Sequence, residues 1–223
     1  ILKAAGRHVG VIGTIESRYA GKSFPASHTT PESIELQRLL SAMLVAGVTD
    51  VVMEVSSHAL SLDRVKGVHF NVVGFTNLSQ DHLDYHQDMN SYFEAKTKLF
   101  NEVIGESQKK AISVINTEND FGRRLTHIAK KPFLTCSLNQ ASDVVARDCR
   151  MTTEGIHLSF EWEGKSCELN SSLLGQFNME NILLGSVMAL SQGIPAATVS
   201  QGIADLSSVP GRLEKIGNSR DLL

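Results

Sequence analysis

The chain has 223 residues, and its hydrophobic content of 42% is enough to fill the core of one large domain. A formal net charge of −3 gives the sequence no basic field, so we expect no nucleic-acid or anionic-membrane partner. The apolar runs are too short to cross a bilayer, and no signal peptide opens the chain. Three widely spaced cysteines, Cys136, Cys149 and Cys167, predict free thiols in a reducing cytoplasm.

The first predicted elements are the end of a helix at residues 1–5 and a strand at 9–12. A helix that is already ending at residue 5 predicts a further segment upstream. Polar and glycine-containing residues predict a loop over 14–28. A second helix follows, for which Thr30 is a plausible N-cap and Pro31 lies in the first turn.

Three apolar runs predict further strands at 50–55, 70–76 and 111–115. Their continuous rather than alternating pattern is typical of strands that are covered on both faces. Helices predicted at 91–100 and 121–130 separate or follow these strands. Such alternation indicates an α/β fold with a mostly parallel sheet flanked by helices.

The pattern changes between residues 143 and 171, where short runs with alternating polarity are joined by tight turns. This stretch predicts a small antiparallel sheet attached to the parallel one. Two more helices, at 178–193 and 196–204, return to the α/β pattern.

Polar clusters follow three of the predicted strands: HTTP lies beyond the first, EVSSH ends the second and TNLSQDHLDYH ends the third. Ligands of open α/β sheets bind beyond the carboxyl ends of the strands. We therefore expect the functional site at this edge of the sheet.

Structural roles compete with functional ones for these polar residues. Thr29 and Thr30 could cap a helix, and Glu54 could simply pair with a nearby arginine such as Arg64. These alternatives remain open at the level of residue pattern.

Two other features also have alternative interpretations. His82 and His86 are four residues apart, a spacing that suits a metal site on one helix face but that also arises by chance. Lys96 lies on an apolar helix and could rest its stem on that face while its ammonium group reaches water.

Five stretches resemble the central domain of the Mur ligases, namely HTTPESIELQRLL, MEVSSHALSLDRV, FTNLSQDHLDYHQDMNSYFEAKTKLF, GQFNMENILLG and VPGRLE. The resemblance implies an ATP-binding domain over residues 1–214 and the start of a linker to a further domain at 215–223. It also implies a P-loop-type ATPase architecture, of which this sequence lacks the first strand and the glycine-rich phosphate loop. We therefore expect the chain to be inactive alone.

The resemblance implies a metal site and a catalytic lysine. Glu54 and His82 match ligands of Mg²⁺, and a carboxylate at the end of a strand suits this hard cation. Lys96 matches a lysine that the family carbamylates with carbon dioxide, which converts it into an anion that helps to place the metal.

Further residues match the family's binding positions. Four of them are implied to hold the muramoyl-dipeptide substrate, namely Thr29, Thr30, Ser56 and Arg64. Asn178 and Asn181 match a pair near the adenine of ATP, and Arg212 is implied to approach the phosphates as a catalytic residue.

The implied reaction is ATP-dependent amide formation in peptidoglycan precursor synthesis. ATP phosphorylates the D-glutamyl side chain of UDP-N-acetylmuramoyl-L-alanyl-D-glutamate, and the amino group of meso-diaminopimelate or lysine attacks the acyl phosphate. We expect a cytoplasmic monomer that has these two substrates as partners and ATP and Mg²⁺ as cofactors. The alternatives are a folylpolyglutamate-synthetase-like ligase, a non-catalytic nucleotide-sugar-binding module, and an α/β domain whose polar edge is incidental.

Overall fold

The computed structural model describes residues 1–79 and 85–208. A small sheet has four strands, which are β1 (Val9–Ile12), β2 (Glu16–Tyr19), β3 (Lys22–Pro25) and β4 (Asp50–Met53). Strand β1 pairs parallel with β4 and antiparallel with β2, so that the order is β3-β2-β1-β4.

A second sheet has six strands, which are β5 (Val72–Phe75), β6 (Ile112–Asn116), β7 (Phe133–Ser137), β8 (Val144–Met151), β9 (Ile156–Trp162) and β10 (Lys165–Ser171). Their order in the sheet is β10-β9-β8-β7-β6-β5. Strands β5 to β8 are parallel, whereas β8, β9 and β10 pair antiparallel. The predicted fold class is confirmed, and the antiparallel strands continue the parallel sheet through β8.

The helices in the described ranges are α1 (Ser33–Val45), α2 (Ser57–Ser61), α3 (Met89–Lys98), α4 (Asp120–Leu125), α5 (Gln176–Ser191) and α6 (Ala196–Ala204). A capping box starts α3, because the Asp88 carboxylate accepts from the backbone N–H of Ser91 while the Ser91 hydroxyl accepts from the N–H of Asp88. The helix continues as a π-helix at Leu99–Val103. None of the helices in these ranges is long and apolar enough to span a bilayer.

The two sheets share one hydrophobic cluster, in which Ile12 of β1 and Leu36 of α1 join Val73 and Phe75 of β5. A second cluster lies between α5, α6 and the larger sheet, where Leu183 is almost fully buried. Burial of these apolar side chains is the main term that holds the layers together. The sheets therefore form one body whose polar strand ends frame the candidate site.

Three sequence-based expectations are corrected. Residues 14–28, predicted as a loop, contain the β2–β3 hairpin, whose turn places Ala20 and Gly21 at positive φ. The helix predicted over 121–130 ends at Leu125, and β7 was not predicted at all. All three cysteines are free thiols, as predicted.

The strand β4 is not covered on both faces, contrary to its apolar pattern. Val51 is 37% exposed and Val52 is 50% exposed, so both faces of β4 are partly open. Among the described residues, β4 also pairs only with β1, which leaves one of its edges open.

Candidate functional site

Glu54 lies directly after β4, at the end where the parallel strands β1 and β4 both finish. Its carboxylate Oε2 accepts a hydrogen bond from the Thr14 hydroxyl over 2.5 Å, and Thr14 follows β1. The hydroxyls of Thr14 and Thr29 lie 3.1 Å apart. A Cβ atom at Gly13 would be only 3.0 Å from Glu54 Oε1, so the glycine leaves room for the carboxylate.

Thr30 connects the two loops that flank this carboxylate. Its buried hydroxyl donates to the backbone carbonyl of Glu54 over 2.8 Å and accepts from the backbone N–H of Ser56 over 3.1 Å. The predicted N-cap role of Thr30 is wrong, because α1 begins after Glu32 and no side chain caps it. The Thr30 hydroxyl instead fixes the backbone on both sides of Val55.

Arg64 is almost buried beside Thr30. One guanidinium nitrogen donates to the Thr30 carbonyl over 3.1 Å, and another lies 2.5 Å from a carboxylate oxygen of Glu32. The alternative pairing of Glu54 with Arg64 is therefore wrong. Since a buried guanidinium is costly unless its donors are paired, Glu32 stabilises Arg64 in this position.

The two serines that follow Glu54, Ser56 and Ser57, form different hydrogen bonds. Ser56 is the N-cap of α2, and its hydroxyl accepts from the backbone N–H of Ala59 over 3.2 Å. Ser57 is buried, and its hydroxyl lies 2.8 Å from Nε2 of the buried His86. The EVSSH segment is therefore attached to the residues that precede α3.

His86 extends this connection to Lys96. Its ring stacks on Tyr92 with the ring centroids 4.9 Å apart, and the Lys96 ammonium lies 5.2 Å from the Tyr92 ring centroid. Lys96 is half-buried over the aromatic ring. Ser57, His86 and Tyr92 thus link the Glu54 loop to the Lys96 helix.

A second polar group lies where β5 and β6 end. Asn116 is buried at the end of β6, and its Nδ2 donates to the Thr76 carbonyl over 2.7 Å and to the Glu180 carboxylate over 2.9 Å. Asn178, on the same first turns of α5 as Glu180, donates from Nδ2 to the Leu174 carbonyl over 2.6 Å, and Asn181 is exposed.

The carboxylates of Glu180 and of the nearby Glu118 differ in pKa. Burial raises the pKa of Glu180, with a further contribution from the charge of Glu118, although the hydrogen bond from Asn116 opposes the shift. Burial acts in the same direction on Glu118, but hydrogen bonds from Ser137, Asn139 and nearby backbone N–H groups bring its pKa below the usual value.

We name the six residues around the β4 end the Glu54 cluster: Thr14, Thr29, Thr30, Glu54, Ser56 and Arg64. The structure therefore brings the predicted substrate residues together with the predicted metal ligand Glu54. His82 and Arg212 lie outside the described residues. Within 1–79 and 85–208, no group of three His, Cys, Asp or Glu side chains could hold a metal ion.

Sequence reasoning missed Thr14, Asn116 and Glu180 in these two groups, and it also missed Ser57, which contacts His86. Thr14 and Asn116 each lie at the carboxyl end of a strand, which is the same signal that identified Glu54. Glu180 is a charged residue inside an apolar helix, and this signal alone could have identified it.

Comparison with known proteins identifies the family. The model of the Mur ligase middle domain matches residues 1–189. A 2,6-diaminopimelate ligase of UDP-N-acetylmuramoyl-L-alanyl-D-glutamate from Geobacter metallireducens is 39% identical over 100% of this chain and 44% of its own length. A ligase with the same description from Solibacter usitatus is 40% identical over 97% of this chain and 43% of its own length.

A solved structure described as UDP-N-acetylmuramoyl-L-alanyl-D-glutamate–2,6-diaminopimelate ligase superimposes with a TM-score of 0.86 at 26% identity, over 97% of this chain and 44% of that one. The chain thus spans less than half the length of the curated relatives that it matches.

Proposed function

Because the chain belongs to the Mur ligase family, we propose that a protein containing it joins a diamino acid to UDP-N-acetylmuramoyl-L-alanyl-D-glutamate at the expense of ATP. Meso-diaminopimelate is favoured over lysine, since two relatives at 39% and 40% identity are described as diaminopimelate ligases. The observation that carries the proposal is the Glu54 cluster, which joins one carboxylate to the predicted substrate residues. We further propose that the protein is a cytoplasmic monomer.

Glu54 is proposed to hold Mg²⁺ together with His82. The Glu54 carboxylate offers the hard oxygen donor that Mg²⁺ prefers. The Thr14 hydroxyl and the space at Gly13 fix the position of this carboxylate. Bound Mg²⁺ would neutralise charge on the ATP phosphates during transfer.

Lys96 is proposed to act as a carbamate, formed when its neutral amine adds to carbon dioxide and loses a proton. Its position on α3 supports this, since Tyr92 and His86 connect it to the loop that carries Glu54. An anionic Lys96 would then be a second protein oxygen donor near the metal.

The muramoyl dipeptide is proposed to lie against Thr29, Thr30, Ser56 and Arg64. Thr30 and Ser56 already bond to the neighbouring backbone, so Thr30 supports the shape of the site. Glu32 pairs with one guanidinium nitrogen of Arg64, and because the Glu32 side chain is exposed, a substrate carboxylate would be able to displace it there.

Asn178 and Asn181 are proposed to lie near the adenine of ATP, at the start of α5. An amide suits this role because it both donates to and accepts from a purine edge. Arg212 is proposed to approach the transferring phosphoryl group as a positive charge.

The proposed reaction has two steps, phosphoryl transfer and amide formation. The D-glutamyl carboxylate attacks the γ-phosphorus of ATP, the bond to the bridging oxygen breaks, and ADP leaves. The amine of the diamino acid then attacks the acyl carbon, loses a proton to solvent and expels inorganic phosphate. In both steps the residues of the chain position the reacting groups and do not bond covalently to the substrates.

The proposal is tested by ADP release from a protein that spans the full length of the relatives and contains this chain. ATP, Mg²⁺ and the muramoyl dipeptide are supplied with diaminopimelate, with lysine, or with neither. We expect ADP and a new amide product, identified by mass, only in the diaminopimelate reaction. The 223-residue chain alone is expected to release no ADP.

Two results would redirect the assignment. ADP formed in the lysine reaction but not in the diaminopimelate reaction would support the ligase and show that lysine is its amino-acid substrate. The absence of ADP with every acceptor would overturn the ligase and favour the folylpolyglutamate-synthetase-like alternative, if a folate and glutamate restore turnover, or a nucleotide-sugar-binding module if the dipeptide binds without turnover.

A further inference from the structure

We propose that a cleft at the amino ends of β6 and β7 binds a small polyvalent anion. The cleft has a volume of about 450 Å³ and is lined by Ile104, Gly105, Lys109, Lys110, Ala111, Lys130, Lys131 and Pro132. We name it the lysine cleft. Its size falls within the range of small-molecule sites, which is roughly 300–1,000 Å³.

The lysine cleft lies at the opposite end of the sheet from the proposed ATP site. Residues 104–111 lead into β6 and residues 130–132 lead into β7, and these two strands are parallel. Asn116 ends β6, so the length of that strand, about 13 Å, separates it from the cleft. The inference therefore does not depend on the proposed ligase activity.

The charge of the lysine cleft is of one sign. Four of its eight lining residues are lysines and none is Asp or Glu, although the chain carries a net charge of −3. Within the ranges 1–79 and 85–208, none of these four lysines forms an ion pair with a carboxylate. Lys109 donates to the neutral Asn71 amide over 2.9 Å. A bound anion would relieve the mutual repulsion of the four ammonium groups.

The walls of the cleft are packed in place. A Cβ atom at Gly105 would be 2.3 Å from the Lys130 ammonium, so this side chain lies across the glycine. The backbone N–H of Lys130 donates to the Phe100 carbonyl over 3.0 Å, which joins the segment before β7 to the π-helix. Ile104 and Ala111 are buried beneath. The base of the cleft is therefore packed, and the four lysine side chains are exposed around it.

The chemistry of the lining defines the ligand. Lysine recognises phosphoryl or carboxylate groups as a point charge, and four lysines match an anion with several such groups. None of the eight described lining residues is aromatic, so these residues offer no stacking platform for a nucleobase. Its concave form fits a small molecule better than the flat surface of a membrane.

Calorimetric titration of the 223-residue chain with inorganic tripolyphosphate, and separately with citrate, at low salt and without Mg²⁺ tests the inference. The test variant is Lys110→Gln with Lys131→Gln, because neither side chain makes a described hydrogen bond. The control is Lys22→Gln with Lys165→Gln, which removes the same charge from two exposed hairpin positions. We expect binding to weaken at least about tenfold in the test variant and less than about twofold in the control.

The two probes distinguish the ligand group. Loss of both titrations in the test variant supports a general polyvalent-anion site, and loss of the tripolyphosphate titration alone supports a phosphoryl site. Equal effects of the test and control variants would overturn the inference. So would an absence of binding to both probes with binding to anionic phospholipid vesicles instead.

Discussion

Thr14 donates its hydroxyl hydrogen to the Glu54 carboxylate over 2.5 Å, across the ends of the parallel strands β1 and β4. The bond comes from a residue 40 positions earlier in the chain, so it is a product of the strand pairing. It fixes the orientation of the proposed metal ligand before any cation binds. Preorganisation of this kind reduces the free energy that metal and substrate binding must supply.

Replacement of Thr14 by valine, Thr14→Val, keeps the side-chain shape and removes this donor. We expect the ADP release rate of the full-length protein to fall at least about tenfold and the Mg²⁺ requirement to rise, because a hydrogen bond to a charged group is lost. Thr14→Ser retains the hydroxyl and should retain most of the activity. Activity of Thr14→Val near that of the wild type would contradict the role of the donor.

The buried Ser57–His86 pair predicts a structural coupling between the Glu54 loop and α3. Ser57→Ala removes the hydroxyl 2.8 Å from the His86 ring nitrogen and should lower the free energy of unfolding by about 1–3 kcal/mol. Ser61→Ala, in the same short helix, is the control and should change it by less than about 0.5 kcal/mol. Urea titrations of both variants measure the difference, and equal values would contradict the coupling.

Glu180 predicts a pH dependence of stability. Its pKa is raised, chiefly by burial, so the folded chain binds this proton more tightly than the unfolded chain. Between the ordinary and the raised pKa of Glu180, its contribution to the free energy of unfolding therefore falls as pH rises. Glu180→Gln still accepts from Asn116 but does not titrate, so its stability relative to the wild type should increase with pH.

Urea unfolding of the wild type and Glu180→Gln over a range of pH values above the ordinary pKa of glutamate measures this difference. Glu35→Gln, at an exposed position of α1, is the control and should run parallel to the wild type. A constant difference between Glu180→Gln and the wild type across the range would contradict the raised pKa.

Lys96 predicts a dependence on dissolved carbon dioxide. Lys96→Arg keeps the positive charge over Tyr92 but cannot form the carbamate. We expect ADP release by the wild type to rise with added bicarbonate, and Lys96→Arg to have little activity at any bicarbonate concentration. Activity of Lys96→Arg near that of the wild type would show that the positive charge is the functional property.

The sequence was most informative where burial is periodic or where residue identity is specific. The strand at 9–12 has the predicted bounds, since its apolar residues are buried in a pattern that the sequence displays. The β2–β3 hairpin was missed because all of β3 is exposed, so pairing and a left-handed turn at Ala20 and Gly21 define it instead of burial. The strand β4 was misjudged because apolar composition does not reveal whether the two faces of a strand are covered.

Long-range partners could not be predicted from one sequence. Asn116 and Glu180 are 64 residues apart, and only the packing of α5 beside β6 brings them together. Arg64 pairs with Glu32, 32 positions earlier in the chain, and not with Glu54, 10 positions earlier, and this choice also depends on packing. The roles proposed for Glu54 and Lys96 rest on resemblance to a family, and the contacts through Ser57, His86 and Tyr92 support them.

The most direct test of the central claim is the rate of ADP release by full-length Glu54→Gln at saturating muramoyl dipeptide and diaminopimelate, over a range of Mg²⁺ concentrations. Glu35→Gln serves as the matched control on an exposed helix face. We predict that Glu54→Gln loses at least about 100-fold in rate, because the amide lacks the charge that holds the cation, while its urea unfolding midpoint stays near that of the control. A rate for Glu54→Gln within about twofold of the control at every Mg²⁺ concentration would contradict the assignment of the Glu54 cluster as the catalytic site.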